Sequence, residues 1–158
     1  MIGIQNGKVY MGADHTNSYP NSARLSVQIE STTRFNSGLF ILSLDHMPTG
    51  PGVWPAFWTI NRPYEGEIDV LEGISNLTYN SISLHQWKKD NDTDLCIMKN
   101  NDTQFFNGTW GTDWTHEPYL DCYGHARSNS TVMAGCGISA PQRTFNTDLV
   151  LIVWEVIF

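Results

Sequence analysis

Gly66-Glu-Ile-Asp-Val-Leu-Glu-Gly73 places three carboxylates, Glu67, Asp69 and Glu72, among apolar residues: Ile68, Val70 and Leu71. β-Branched and large apolar side chains between two glycines predict a short buried strand. On a regular strand Glu67 and Asp69 share a face, whereas Glu72, at an odd offset from Glu67, turns to the other side. One β-bulge between Asp69 and Glu72 absorbs the extra residue and returns all three acids to one face. With the bulge counted, the Cα atoms of Glu67 and Glu72 stand about 13 Å apart, at roughly 3.3 Å per residue. Two glutamate side chains leaning together can approach the separation of about 5–5.5 Å that a retaining glycosidase uses. Asp69 between them can tune its neighbours through shared protons and hydrogen bonds. The alternatives are a solvated acidic strand face or a calcium site, and no EF-hand loop supports the latter.

Outward from this segment the chain alternates or carries short apolar runs. Leu25, Val27 and Ile29 alternate with polar residues and predict a half-buried strand. Gly38-Leu-Phe-Ile-Leu-Ser-Leu44 is denser and reads as a central strand; Trp54-Pro-Ala-Phe-Trp-Thr-Ile60 and Ser81-Ile-Ser-Leu-His85 read as two more. Pro48-Thr-Gly-Pro-Gly52 and Asn61-Arg-Pro63 punctuate them. With no amphipathic helix pattern, the fold class is all-β, a sandwich or jelly roll. From Lys88 to about Ala140 the residues are those of long loops stapled by a disulfide. The apolar end, Leu149 to Phe158, fits one buried strand.

The 158 residues suffice for one domain. A net charge of −7 without a Lys/Arg stripe argues against nucleic acid, and six Trp suit a neutral polysaccharide on whose rings aromatic faces stack. Cys96, Cys122 and Cys136 predict one disulfide and one free thiol. Asn76, Asn91, Asn101, Asn107 and Asn129 head Asn-X-Ser/Thr sequons, where composition alone gives about two, so a secreted protein is expected. Met1 to Lys8 lacks the basic start and apolar core of a signal peptide, and no segment reaches the ~20 apolar residues of a membrane span. Either the sequence starts downstream of its true N-terminus or the protein is intracellular. No Ser/His/Asp arrangement, CxxC pair, HExxH motif or phosphate-binding glycine loop occurs, so neither metal nor cofactor is predicted.

Two further groups of residues bear on a site. On strand alternation Trp54 and Trp58 share a face, so one can stack on sugar while the other packs beneath; Pro55 marks an edge or bend. His85 shares a polar face with Ser81 and Ser83 and can reach a carboxylate if its strand neighbours the acidic one.

Glu67-Ile-Asp-Val-Leu-Glu72 with its flanking glycines resembles the Glu-X-Asp-X-X-Glu signature of glycoside hydrolase family 16. The stretch from Gly38 to Gly50, Trp54-Pro-Ala-Phe-Trp58 and Ser83-Leu-His85 is similar to the family's fungal laminarinase branch. The resemblance runs from Arg24 to His85 and thins to Cys122, Gly135-Cys-Gly137 and Phe145-Asn146. It implies a concanavalin-like β-jelly roll and a monomeric endo-β-glucanase that cuts β-1,3 or mixed β-1,3/1,4 glucan with retention. By position it makes Glu67 the nucleophile, Glu72 the general acid/base and Asp69 the assisting residue. Trp54, Trp58 and His85 become cleft-side, substrate-binding positions. Pro51 stands where many relatives have Cys, and the chain diverges after Asn146. Such domains run to roughly 200–250 residues, so residues 1–158 are expected to form a single catalytic domain incomplete at both ends. Two other readings stay open: a non-catalytic β-glucan-binding sandwich, and a cell-wall transglycosylase, whose relatives usually lack the bulge residue.

Overall fold

The computed structural model describes residues 1–61, 66–86, 96–99, 104, 106–112, 116–123, 135–141 and, for the backbone alone, 149–153. They form nine strands: β1 (Ile2–Gln5), β2 (Lys8–Met11), β3 (Phe40–Leu44), β4 (Ala56–Asn61), β5 (Gly66–Glu72), β6 (Ser81–Gln86), β7 (Thr109–Trp110), β8 (Cys136–Ser139) and β9 (Leu149–Val153). β4, β5, β6, β8 and β7 lie side by side, in that order, in an antiparallel sheet. β3 pairs antiparallel with β9, and β1 with β2.

Two layers follow from the side chains. On β3, Leu42 and Leu44 alternate with exposed Ile41 and Ser43, and they pack with Met47 against Leu71 of β5 and Phe57 of β4. Leu71 and Phe57 are cross-strand partners, so β3 covers one face of the five-stranded sheet at that point. Burying a side chain such as Leu71 stabilises the fold by about 1.5–3 kcal/mol relative to leaving it exposed. The opposite face of the sheet carries the acids.

The all-β class holds, with differences in detail. Leu25, Val27 and Ile29 form no strand: Leu25 and Ile29 are exposed, and alternation alone makes no ladder without a neighbouring strand to receive its N–H and C=O groups. Among the described residues β3 pairs with β9 alone rather than standing between two strands, and Ile41 is 60 % exposed. β4 starts only after Pro55, which lacks the N–H that a ladder needs. β1 and β2, which the strand patterns did not announce, are joined by Asn6-Gly7, both at positive φ (51° and 75°) as a two-residue hairpin turn requires.

The loop-rich stretch before Ala140 contributes two strands to the main sheet. Its staple is Cys122–Cys136, and Cys96 keeps a free thiol. Of the sequon asparagines, Asn76 and Asn107 are exposed; Asn91, Asn101 and Asn129 lie outside the described residues.

Candidate active site

The predicted bulge is present, and it decides where the acids point. Against β6 the register runs Glu67↔His85, Ile68↔Leu84 and Asp69↔Ser83, then steps to Glu72↔Ser81. Against β4 it steps from Trp58↔Asp69 to Phe57↔Leu71. Because directly paired residues share a face, Glu67, Asp69 and Glu72 emerge together beside Trp58, Ser81, Ser83 and His85. Val70 and Leu71 go inward and are buried.

Asp69 is the fixed point of the cluster. It is 2 % exposed, and two partners converge on its Oδ2. The Ser83 hydroxyl donates to it at 2.8 Å, and the His85 Nε2–H donates at 3.0 Å. The hydrogen bond to Asp69 raises the pKa of His85 against the opposing effect of burial, and the charges of Asp69, Glu67 and Glu72 add to it.

Glu67 and Glu72 flank this anchor. Burial raises the pKa of Glu67 first, helped by the negative charge of Asp69 and a hydrogen bond to it, while His85 opposes the rise. Burial also raises that of Glu72, against a hydrogen bond from Trp54. The facing atoms of Glu67, Asp69 and His85 all lie within 4.8 Å of one another, a spacing a divalent cation could span. The His85 Nε2–H already donates to Asp69 within this group.

Trp54 and Trp58 both meet the acidic face, as alternation predicts, but from different elements. Trp58 sits in β4 opposite Asp69, half-buried on the acidic face. Trp54 precedes the strand, is 62 % exposed, and donates its indole Nε1–H to Glu72 Oε1 at 2.8 Å. Its backbone is held beside the chain that leaves β5: Gly73 N–H donates to Pro55 O at 3.1 Å and Ser75 N–H to Val53 O at 2.8 Å. One indole edge therefore grips Glu72 while the ring face stays open.

Sequence reasoning passed over two residues of this region. Asn80, fully buried, bonds the backbone on both sides of the bulge; a single Asn ahead of a strand reads simply as a turn residue. Gly135, at φ +62°, packs against the His85 ring, and a Cβ there would meet His85 Nδ1 at 2.7 Å. Its position beside Cys136 was the available signal.

Known proteins are similar to this chain in sequence and fold. A family model described as XgeA-like, catalytic GH16 domain, matches residues 2–150. An endo-1,3(4)-beta-glucanase of Arthroderma benhamiae is 42 % identical over 88 residues, covering 54 % of this chain and 19 % of that protein. A probable glycosidase of Schizosaccharomyces pombe is 45 % identical over 87 residues, 54 % of this chain and 20 % of its own length. The chain thus spans about one fifth of these curated relatives.

Among solved structures, an elongating GH family 16 beta-1,3-glucosyltransferase superposes with a TM-score of 0.69 at 29 % identity, covering 97 % of this chain and 49 % of its own. Laminarinase 16A from Phanerochaete chrysosporium, solved with 6-O-glucosyl-laminaritriose in both donor and acceptor sites, gives 0.60 at 27 % identity, covering 85 % of this chain and 41 % of its own. With the family match running over nearly the whole sequence and the acidic strand bulged as the signature requires, the chain belongs to glycoside hydrolase family 16.

Proposed function

We propose that this chain carries the catalytic strand of a retaining endo-β-glucanase acting on β-1,3 or mixed β-1,3/1,4 glucan. One observation carries the reading: the bulge puts Glu67 and Glu72 on the same sheet face, either side of a pinned Asp69. Retaining hydrolysis needs two carboxyl groups that reach the same glycosidic bond, one in each protonation state. In the order implied by the family resemblance, ionised Glu67 attacks the anomeric carbon as protonated Glu72 gives its proton to the departing glycosidic oxygen. Glu72, now ionised, takes a proton from water, and the resulting attack releases the sugar from Glu67.

The surroundings suit these roles. Burial of Glu72 favours its protonated form, as a general acid requires. The Trp54 indole holds one oxygen of Glu72 in place and offers its exposed face to a sugar ring. Asp69, held by Ser83 and His85, fixes a carboxyl group next to Glu67, where it can steady the cation-like sugar in the transition state.

The direct test is the stereochemistry of the first product. Incubated with laminarin or lichenan and followed by proton NMR, the enzyme is expected to release β-configured reducing ends that mutarotate only later. A first product in the α configuration, or retention of the glucan with no reducing ends formed, overturns the proposal.

Glucosyl transfer shares the same covalent step, and the similarity to a glucosyltransferase over 97 % of this chain supports it as a second reading. Products longer than the starting oligosaccharide, outnumbering hydrolysis products at millimolar acceptor, would favour transfer.

The pH dependence follows from the directions of the shifts. Activity requires Glu67 ionised and Glu72 protonated, and both pKa values lie above the ordinary 4.5. Both limbs of the kcat/KM profile are therefore expected on the alkaline side of that value, as macroscopic constants of a coupled pair. In Glu72→Gln the alkaline limb should disappear, and turnover should drop about 10²–10⁴-fold, the range typical of general acid catalysis. A Glu72→Gln profile with the wild-type alkaline limb would assign the acid to another group.

A further inference from the structure

The bulge in β5 creates a local problem that one side chain solves. Between Asp69↔Ser83 and Glu72↔Ser81, Val70 and Leu71 have no partner on β6. The Val70 carbonyl and the Glu72 amide N–H on either side of Leu71 must then find other hydrogen-bond partners, because buried main-chain groups are almost always paired. Asn80 supplies both. Its Nδ2–H donates to Val70 O at 3.0 Å, and its Oδ1 accepts from Glu72 N–H at 2.9 Å.

Asn80 is itself immobilised. It is 0 % exposed, it immediately precedes β6, and its main-chain carbonyl accepts from Ala140 N–H at 2.8 Å just beyond β8. A carboxamide holds a donor and an acceptor on one planar group, so it can imitate the peptide unit missing from the neighbouring strand. Apolar side chains offer neither function, and an ionised carboxylate offers only acceptors.

We infer that Asn80 is a positioning residue for the reaction: by bridging Val70 O and Glu72 N–H it holds the bulge that brings Glu72 onto the face of Glu67. Removing the bridge leaves two buried backbone groups unpaired, and the strand can relieve that by slipping one residue. A one-residue slip turns a side chain to the opposite face of the sheet. For Glu72 this means leaving the glycosidic oxygen, and displacements near 1 Å in a catalytic group can already lower rate about 10²-fold.

This inference rests on the catalytic reading above, so its test separates the two. Asn80→Asp is nearly isosteric. With the introduced carboxyl protonated, its O–H can donate to Val70 O while its other oxygen accepts from Glu72 N–H. Ionised, it sets negative charge against the Val70 carbonyl. The ratio of variant to wild-type kcat on laminarin, taken at each pH, is expected to stay within about threefold at the acid end and to fall at least about tenfold as that carboxyl ionises. KM should move by less than about threefold throughout. Asn80→Ala is expected to lose about 10²-fold in kcat at every pH. The Glu72 amide, followed by hydrogen exchange, should lose protection in Asn80→Ala and lose it only above the same titration in Asn80→Asp.

A purely structural role would lower the melting temperature of both variants while the folded fraction kept wild-type kcat and a pH-independent ratio; that result overturns the inference. If Asn80→Ala does not fold, Asn80→Asp decides alone. If the wild type cleaves no glucan, the catalytic reading fails, and exchange at Glu72 decides whether Asn80 holds the bulge. Wild-type protection in both variants sinks the bridge itself.

Discussion

Glu67→Gln is expected to lower release of reducing ends from laminarin by on the order of 10⁴-fold or more, with the fold intact. Losses of that size follow when the nucleophile of a cooperating set is removed. Gln keeps the shape of the side chain, so the half-buried position opposite His85 and Ile60 stays filled. What disappears is the oxygen nucleophile that would form the glycosyl-enzyme. The variant should also be at least as stable as wild type near neutrality. Burial and the negative charge of Asp69 raise the Glu67 pKa above its ordinary value in the folded state. The native protein therefore holds that proton more tightly than the unfolded chain. Stability contributed by the protonated group is fully present below the unfolded pKa and is lost as pH rises through the folded one. Gln removes this titration, so thermal melts should show the variant losing less stability than wild type as pH rises from 4.5. A second variant, Glu67→Ala, opens space for a small external anion. Azide should restore turnover and give a glucosyl azide of inverted configuration. Turnover of Glu67→Gln within tenfold of wild type, in a preparation shown free of contaminating enzyme, would remove Glu67 from the reaction.

Such a site was readable in the sequence because its constraint is local. Three acids among apolar residues can share a face only through a bulge, and the register shift falls between Asp69 and Glu72 as that argument requires. His85 could be placed on the polar face of its strand, but its bond to Asp69 depended on which strands pair, a long-range fact. Trp54 and Trp58 illustrate the same limit. Counting along an ideal strand puts them on one face, and both do meet the acids, but Pro55 delays β4 to Ala56, so Trp54 reaches Glu72 from the preceding loop, which the count could not show.

Periodicity misled at Leu25, Val27 and Ile29, since alternation reports what a strand could bury and nothing about a partner to bond it. The Asn6-Gly7 hairpin, by contrast, was visible in principle: that dipeptide is a strong short-range hairpin signal. An odd cysteine count left one thiol over without saying which. Cys122 lies beside both other cysteines, receiving the disulfide from Cys136 and donating its main-chain N–H to Cys96 O at 2.8 Å. Only the three-dimensional path of the chain separates these two neighbours.

That path also makes Gly135→Ala the most damaging single-methyl change near the site. Gly135 lies at φ +62°, in the left-handed region, and a Cβ there would stand 2.4 Å from the Leu84 carbonyl oxygen and 2.7 Å from His85 Nδ1. The first obstacle is backbone and has little freedom to retreat. Leu84 is paired with Cys136, Cys136 is bonded to Cys122, and the Cys122 carbonyl accepts from Gln86 N–H at 2.7 Å. β6 is thus clamped on both sides of His85. The left-handed conformation costs an L-residue about 1–2 kcal/mol and overpacking typically a further 1–3. At roughly 2–4 °C per kcal/mol for a chain of this size, a fall in melting temperature of about 4–20 °C is expected. Relief of the second contact requires the His85 ring to shift, and any shift disturbs the bond its Nε2 makes to Asp69. The hydrogen bond to Asp69 is the chief cause of the raised His85 pKa. Its stabilising effect is present in full below the unfolded value of 6.5 and is lost as pH rises through the higher folded one. Wild-type stability should therefore decline across that window, and Gly135→Ala should lose this part of the decline. NMR titration of His85 should show the pKa moving down towards 6.5 in the variant. A Gly135→Ala protein with the wild-type melting temperature and an unmoved His85 titration would mean that β8 yields where it is held by the sheet and the disulfide, and that the clamp does not set the position of His85.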